Sequence, residues 1–437
     1  MHRPPTIAIL AASVLFASPT ITTAETLTVC ASGCPYTSIN AAIDASQNGD
    51  VIQLSAETYR EGAAVNPDGK TLTLLGVTDQ NGDAASILDG ADTHRILECT
   101  SGEGSETTFA NLVIRNGNAD FGGGMLIAYD SSPTLDNCRF IENSGFDGGG
   151  VCMLGQCRST LTDCTFLANS AAQDGGGMLV FAKCESTLID CTFTSNTAAR
   201  SGGGLAIVAE SVATLRDCSF TENSALLLGG GIYVRDSAKN GQTSITRCGF
   251  TSNTGAFGAG MHAESCSPDL LDCWFTSNAA QERGGGMSVL AGTPSLAGCA
   301  FAGNTAATGG GAIYGIEGGG TDPTRPNLVD CIFTSNAAGS ISGDFTTSSA
   351  TCIPGDLDGD GDYDEADIRL GMDDFGIIEA DAHLTGDADG DGDVDAADRT
   401  AVNDALGLCA ADIDGDGVVI AFDLATVLGY WGLCSAP

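Results

Sequence analysis

The densest chemistry in the sequence lies near its C-terminal end. Asp356, Asp358, Asp360, Asp362, Asp364 and Asp367 take positions 1, 3, 5, 7, 9 and 12 of a twelve-residue segment, with Gly361 at position 6. Hard oxygen donors at alternating positions, with a glycine where the chain must turn sharply, suit a Ca²⁺ ion. The pattern returns at Asp387, Asp389, Asp391, Asp393, Asp395 and Asp398 around Gly392, and again at Asp412, Asp414, Asp416 and Asp423 around Gly417. In the third segment Ile420 stands at position 9, so a water or a carbonyl must complete that corner. Position 8 is apolar each time: Tyr363, Val394 and Val419. Without a cation so many carboxylates repel one another, and folding of this region is expected to depend on Ca²⁺. Each loop leads into a candidate helix, clearest over 422–431, and Cys409 with Cys434 brackets the third unit as a disulfide pair.

A second constellation is spread along the chain. The residues preceding eight regularly spaced cysteines are Asn137, Asp163, Asp190, Asp217, Arg247, Asp272, Gly298 and Asp330. If the repeats stack as strands, Asp163, Asp190 and Asp217 form an outward row about 4.8 Å apart that meets Arg247. A lyase of acidic polysaccharide needs a strong base beside acids that hold a neutralising cation, and a glycosidase needs two carboxylates at a defined separation. This row is the nearest approach to either, set against the plainer reading of solvated turn residues. Before residue 354 there are only three lysines (Lys70, Lys183 and Lys239), and after the leader two histidines (His94 and His262), none in a catalytic cluster. A serine elbow, a phosphate loop and a zinc motif are absent; the glycine triplets precede no helix and so do not form a nucleotide cradle.

These residues are positioned by an internal repeat. The unit Cys-x-Phe-x-x-Asn starts at Cys138, Cys164, Cys191, Cys218, Cys248, Cys273, Cys299 and Cys331, at spacings of 26, 27, 27, 30, 25, 26 and 32. All but the last are followed by Gly-Gly-Gly or Gly-Ala-Gly and an apolar residue, as at Gly175-Gly176-Gly177-Met178 and Gly258-Ala259-Gly260-Met261. A degenerate copy at 111–116 extends the Asn column to nine, from Asn116 to Asn336. Triple Gly, Thr, Ser and Asn are poor in helix interiors, while Cys191-Thr192-Phe193-Thr194 alternates apolar and polar with a strand's period.

Three short strands and three turns fit 27 residues, which predicts an all-β, right-handed parallel β-helix. Stacked coils then place Cys on Cys, Phe on Phe and Asn on Asn, with each Asn amide bonding the next and tolerating a left-handed turn. The ladder cysteines read as inward thiols, mostly reduced, with inter-coil disulfides as the alternative; Cys157 and Cys184 fall on adjacent coils as a candidate disulfide pair, and Cys30 with Cys34 as a candidate local bridge. Cys99, Cys152 and Cys266 have no assignment. An outward row of Thr194, Thr221, Thr251 and Thr276 makes a flat face, read either as a polymer-binding surface or as plain strand filling. Residues 36–44 suggest a short amphipathic helix capping the open end of the core.

Residues 1–24 read as a secretory leader: Arg3, an apolar run over 7–17, and Thr22-Thr23-Ala24 as a small-residue cleavage site. The mature chain is expected to start at Glu25, outside the cytoplasm and without a membrane span. The full sequence's formal charge of −39 excludes nucleic acid and anionic membrane surfaces as natural partners. Residues 354–437 hold 22 Asp or Glu against two Arg, a balance of −20. The expected domains are thus 25–353 and 354–437.

The alternation of Phe-x-x-Asn with Gly-Gly-Gly-apolar resembles the repeats of polymorphic outer-membrane proteins, within the broad pectate-lyase-like β-helix superfamily, over 25–349. The C-terminal region resembles dockerin-type calcium modules, the unit 411–434 being similar to the Cys-terminated dockerins of exported bacterial proteins, although it has three loops instead of two. That resemblance implies a small α-helical EF-hand/dockerin-like domain, Ca²⁺ as ligand of the Asp positions given above, and a docking or sorting role toward a cohesin-like partner. The function expected is a secreted or cell-surface, non-enzymatic β-helix that presents a repetitive adhesion or glycan-contact surface and is anchored by a Ca²⁺-dependent module. The alternative is a polysaccharide lyase or glycoside hydrolase carrying a dockerin, with Asp163, Asp190, Asp217 and Arg247 as its catalytic candidates.

Overall fold

The computed structural model describes residues 24–235, 242–316, 326–337, 339–342 and 346–347. The expected leader, the three acidic loops and the Cys409–Cys434 pair lie outside them. Within them the chain winds into a right-handed parallel solenoid of about eleven coils. One coil shows how sequence becomes structure. Glu185–Ile189 is a strand whose Leu188 points inward; the chain turns at Asp190, runs through Thr192–Thr194 and turns at Ser195. It continues through Thr197–Ala198, passes the Gly202-Gly203-Gly204 corner and returns along Leu205–Val208. Glu185 then pairs with Val212, and every partner in this pair of strands lies 27 residues on.

Strands of like position form four sheets of 13, 11, 10 and 8 strands, where three strands per coil were expected. The fourth is built from short segments such as Ser170–Ala171, Thr197–Ala198 and Ser224–Ala225, which follow the Asn column. The core is continuous. Phe140, Phe166, Phe193, Phe220, Phe250, Phe275, Phe301 and Phe333 stack with ring centroids 4.4 to 5.2 Å apart and planes within 10° of parallel. The eight ladder cysteines are buried free thiols; Cys191 Sγ, for example, donates to Ile189 O at 3.3 Å.

The Asn ladder is present, with two corrections. Asn196 Oδ1 accepts from both the backbone N and the Nδ2 of Asn169 at 3.0 Å, and Asn196 Nδ2 donates to Phe166 O at 2.9 Å. The left-handed residue is the one before each Asn, such as Ser195 at φ 53°, not the Asn itself. The first copy is also one residue out of the expected register: Phe140 pairs with Ile114, which sets Gly117 rather than Asn116 beneath Asn143. Asn116 instead donates to Asp89, and the column begins at Asn143.

The Gly triplets do two jobs. The first glycine is left-handed, as at Gly175 (φ 69°), and the second and third are crowded: a Cβ at Gly176 would sit 2.3 Å from Thr197 O. Ala259 takes the second place in one coil, beside a register shift between Gly255 and Phe257.

The helix is Ile39–Ala45; Ser38 caps it, Glu61 accepts from Ile39 N and Asn40 N, and Ile39, Ala42 and Ile43 close the N-terminal end of the core. Cys30 and Cys34 form the expected bridge. Cys157 and Cys184 do not: both are free, and Cys157 N donates to Cys184 Sγ at 3.2 Å. Side chains at in-register positions of neighbouring parallel strands point the same way, which is poor disulfide geometry. Cys99, Cys152 and Cys266 are likewise buried thiols. Among the described residues no helix is long and apolar enough to cross a membrane.

Candidate functional site

The corner between the 13- and 11-stranded sheets carries the row singled out in the sequence. Asp163, Asp190, Asp217, Arg247 and Asp272 are exposed and all left-handed, with φ of 52°, 52°, 55°, 50° and 51°. Their backbones continue the coil-to-coil ladder, Asp190 N donating to Arg216 O at 3.0 Å and Arg247 N to Leu271 O at 2.8 Å. Asn, Asp and Gly tolerate this conformation best, so the turn itself accounts for most of the column.

The row does meet its arginine. Arg247 Nε and one terminal nitrogen donate to the two Asp217 oxygens at 2.7 and 2.8 Å, and Arg216 Nε stands 3.6 Å from the same carboxylate. The hydrogen bond from Arg247 holds Asp217 below the usual carboxylate range, and Asp217 pushes the guanidinium further up. An arginine fixed in this fork is kept protonated, the opposite of what a proton-abstracting base requires. Asp163 and Asp190 share the column, but no cation partner joins them to this pair. Among the described residues no three His, Cys, Asp or Glu side chains come together to hold a metal ion.

Two features escaped the sequence reading. On the ten-stranded sheet, Tyr233, His262, Ser288 and Tyr314 fall in register as the second residue of successive strands, yet Tyr233, His262 and Ser288 are buried beneath the Gly-rich turns. His262 Nδ1 lies 2.5 Å from Ser288 Oγ, its ring stacks on Tyr233 at 5.8 Å, and Nε2 has no partner. Burial lowers its pKa to about 4, so the imidazole is neutral at ordinary pH. With Ser288 sealed from solvent and no carboxylate on Nε2, this pair is a piece of core rather than a nucleophile and its base. A row read two places beyond each Gly triplet contains it.

The second missed feature is a longer hydroxyl row. Thr194, Thr221, Thr251 and Thr276 are in register and half-buried on the 11-stranded sheet, as expected. On the 13-stranded sheet, Thr73, Thr108, Thr134, Thr160, Thr187, Thr214 and Ser244 form another such row. The visible signal was a Thr four residues before each of Cys138, Cys164, Cys191 and Cys218. Parallel strands repeat about every 4.8 Å, so both faces offer hydroxyls at a fixed pitch along the solenoid.

Residues 81–240 match the family described as right handed beta helix region, and residues 298–316 match the Chlamydia polymorphic membrane protein repeat. No curated protein matches the sequence. Solved structures with a similar chain path include a mannuronic acid specific polysaccharide family 6 lyase from human gut microbiota, at 12% identity and a TM-score of 0.38, covering 74% of this chain and 83% of that one. The pectin methylesterase of Aspergillus niger is 14% identical at a TM-score of 0.37, covering 79% and 98%. The A-module of an Azotobacter vinelandii mannuronan C-5 epimerase is 16% identical at 0.38, covering 71% and 93%. Family match and coordinates agree on a right-handed β-helix over residues 81–235.

Proposed function

We propose that this chain is an exported, non-catalytic β-helix whose outer faces contact a glycan or another repetitive cell-surface polymer, held in place by a Ca²⁺-dependent docking module at 354–437. The observation that carries the reading is the pair of in-register hydroxyl rows on adjoining sheets, which repeat one contact along the solenoid axis. The locking of Arg247 by Asp217 supports the non-catalytic half. The spacing of the acidic segments supports the other: Asp356, Asp387 and Asp412 each begin a loop of Ca²⁺ donors. A cohesin-like or sorting partner is the class of protein such a module would engage.

The test is to incubate mature protein and Ca²⁺ with neutral and acidic polysaccharides, following retention on the polymer and the appearance of unsaturated or reducing ends. Retention without new ends, unchanged in Arg247→Ala, is the expected result. New ends that vanish in Arg247→Ala would replace this reading with a lyase or hydrolase.

A further inference from the structure

Among the exposed large apolar residues, Trp274 has an unusual seat. It opens the strand Trp274–Thr276 at the outward position that Thr192, Ser219 and Ala300 hold in other coils. The residue in register one coil before it is Gly249, and a Cβ built there would lie 2.4 Å from the indole Cε2 and Nε1 and 2.5 Å from Cζ2. Gly249 has no left-handed φ, so its backbone would accept a side chain; what excludes one is the ring lying over it. The Nε1–Cε2–Cζ2 side of the indole therefore rests on Gly249 while the residue as a whole stays 44% exposed. Ala300, in register on the following coil, brings only a methyl group to the ring. Thr251 and Thr276 stand beside this platform as the hydroxyl row, and Leu271, 46% exposed, lies across the corner.

We infer that Trp274 on Gly249 is a stacking platform for a pyranose ring of a neutral polysaccharide, with Thr251 and Thr276 meeting the ring's rim. A pyranose offers a flat C–H face and an equatorial fringe of hydroxyls, which matches an apolar plane bordered by hydroxyls. Charge decides between neutral and acidic polymers. The chain carries −39, and Arg247, two residues before Gly249, is already neutralised by Asp217. This inference rests on the glycan-contact reading and gives it a place and a ligand class.

The experiment uses the full mature chain with Ca²⁺, in affinity electrophoresis through a soluble β-1,4-glucan, a galactomannan, a xylan and a β-1,3-glucan, with alginate as the acidic comparison. Trp274→Ala removes the platform, and Gly249→Thr unseats it by restoring the residue type that Thr165 and Thr192 carry at that position. At least one neutral polymer is expected to retard the wild type, and both variants to bind it about tenfold more weakly with unchanged β-sheet dichroism. If Trp274→Ala fails to fold, Gly249→Thr alone decides. Equal retardation of wild type and variants would overturn the placement and leave the glycan reading standing. No retardation by any neutral polymer would overturn this inference, and no retention by any polymer the broader reading as well. Self-association of the wild type that Trp274→Ala abolishes, with no polymer effect, would assign the platform to a second copy of the chain.

Discussion

The corner row shows how backbone conformation writes side-chain composition. Asp163, Asp190, Asp217 and Asp272 sit at φ near 50°, where Asp and Asn are tolerated, so their carboxylates are first of all turn chemistry. Arg247 occupies the same conformation without that excuse and is held by its fork on Asp217. His262 gives the clearest single-residue prediction. Its pKa falls from 6.5 to about 4 on folding, so above pH 6.5 it is neutral in both states and adds no pH dependence. Below pH 6.5 the unfolded chain takes up a proton that the folded chain refuses. Stability should therefore drop by about 1.4 kcal/mol per pH unit, to a total near 3 kcal/mol by pH 4. Urea unfolding of His262→Tyr, which matches Tyr233 and Tyr314 in the same row, should lack this share of the acid sensitivity between pH 6.5 and 4; identical slopes for both proteins would contradict it.

At the scale of elements, the coil is held at its tightest bend by side chains standing in for backbone. From Asn169 to Asn304, each ladder Asn supplies an acceptor to the preceding coil's Asn N–H and a donor to a Phe carbonyl, inside a core that water does not reach. Replacing Asn196 by Ala orphans the buried Asn169 N–H and takes the amide donor from the Phe166 carbonyl. The expected cost is about 3 kcal/mol, read as a lower urea midpoint, because an unsatisfied buried group costs far more than a net hydrogen bond returns. A midpoint unchanged from wild type would mean that the corner is supported elsewhere. The Phe stack and the crowded Gly positions act in the same sense, since both demand one register between coils.

For the whole molecule, charge and repeat divide the chain at the same place. The solenoid region carries roughly half of the −39, spread over many coils, whereas 354–437 concentrates −20 in 84 residues. The proposed Ca²⁺ module predicts that chelation from the full chain lowers the helical dichroism while the β-sheet signal persists, because crowded carboxylates repel one another once no cation offsets them. A spectrum unchanged by chelation would count against the Ca²⁺ module.

The repeat alone determined the parallel solenoid, the Phe and Cys columns and the Asp217 to Arg247 meeting. A spacing held near 27 residues makes every coil's neighbour a copy of itself, so sequence alignment is already a contact map. Where the copy degrades, the alignment slips, and Asn116 took a place that belongs to Gly117. What only the tertiary structure decided depends on side-chain direction and on what covers each outward column. The turns after the Asn ladder create a fourth sheet, the Gly corners bury His262 and Ser288, Cys157 and Cys184 stay free thiols in contact, and the bare backbone of Gly249 receives the ring of Trp274. Those outcomes follow from angles between coils set by left-handed residues at the corners, and residue types in one dimension carry the positions of these turns but not where their neighbours come to lie.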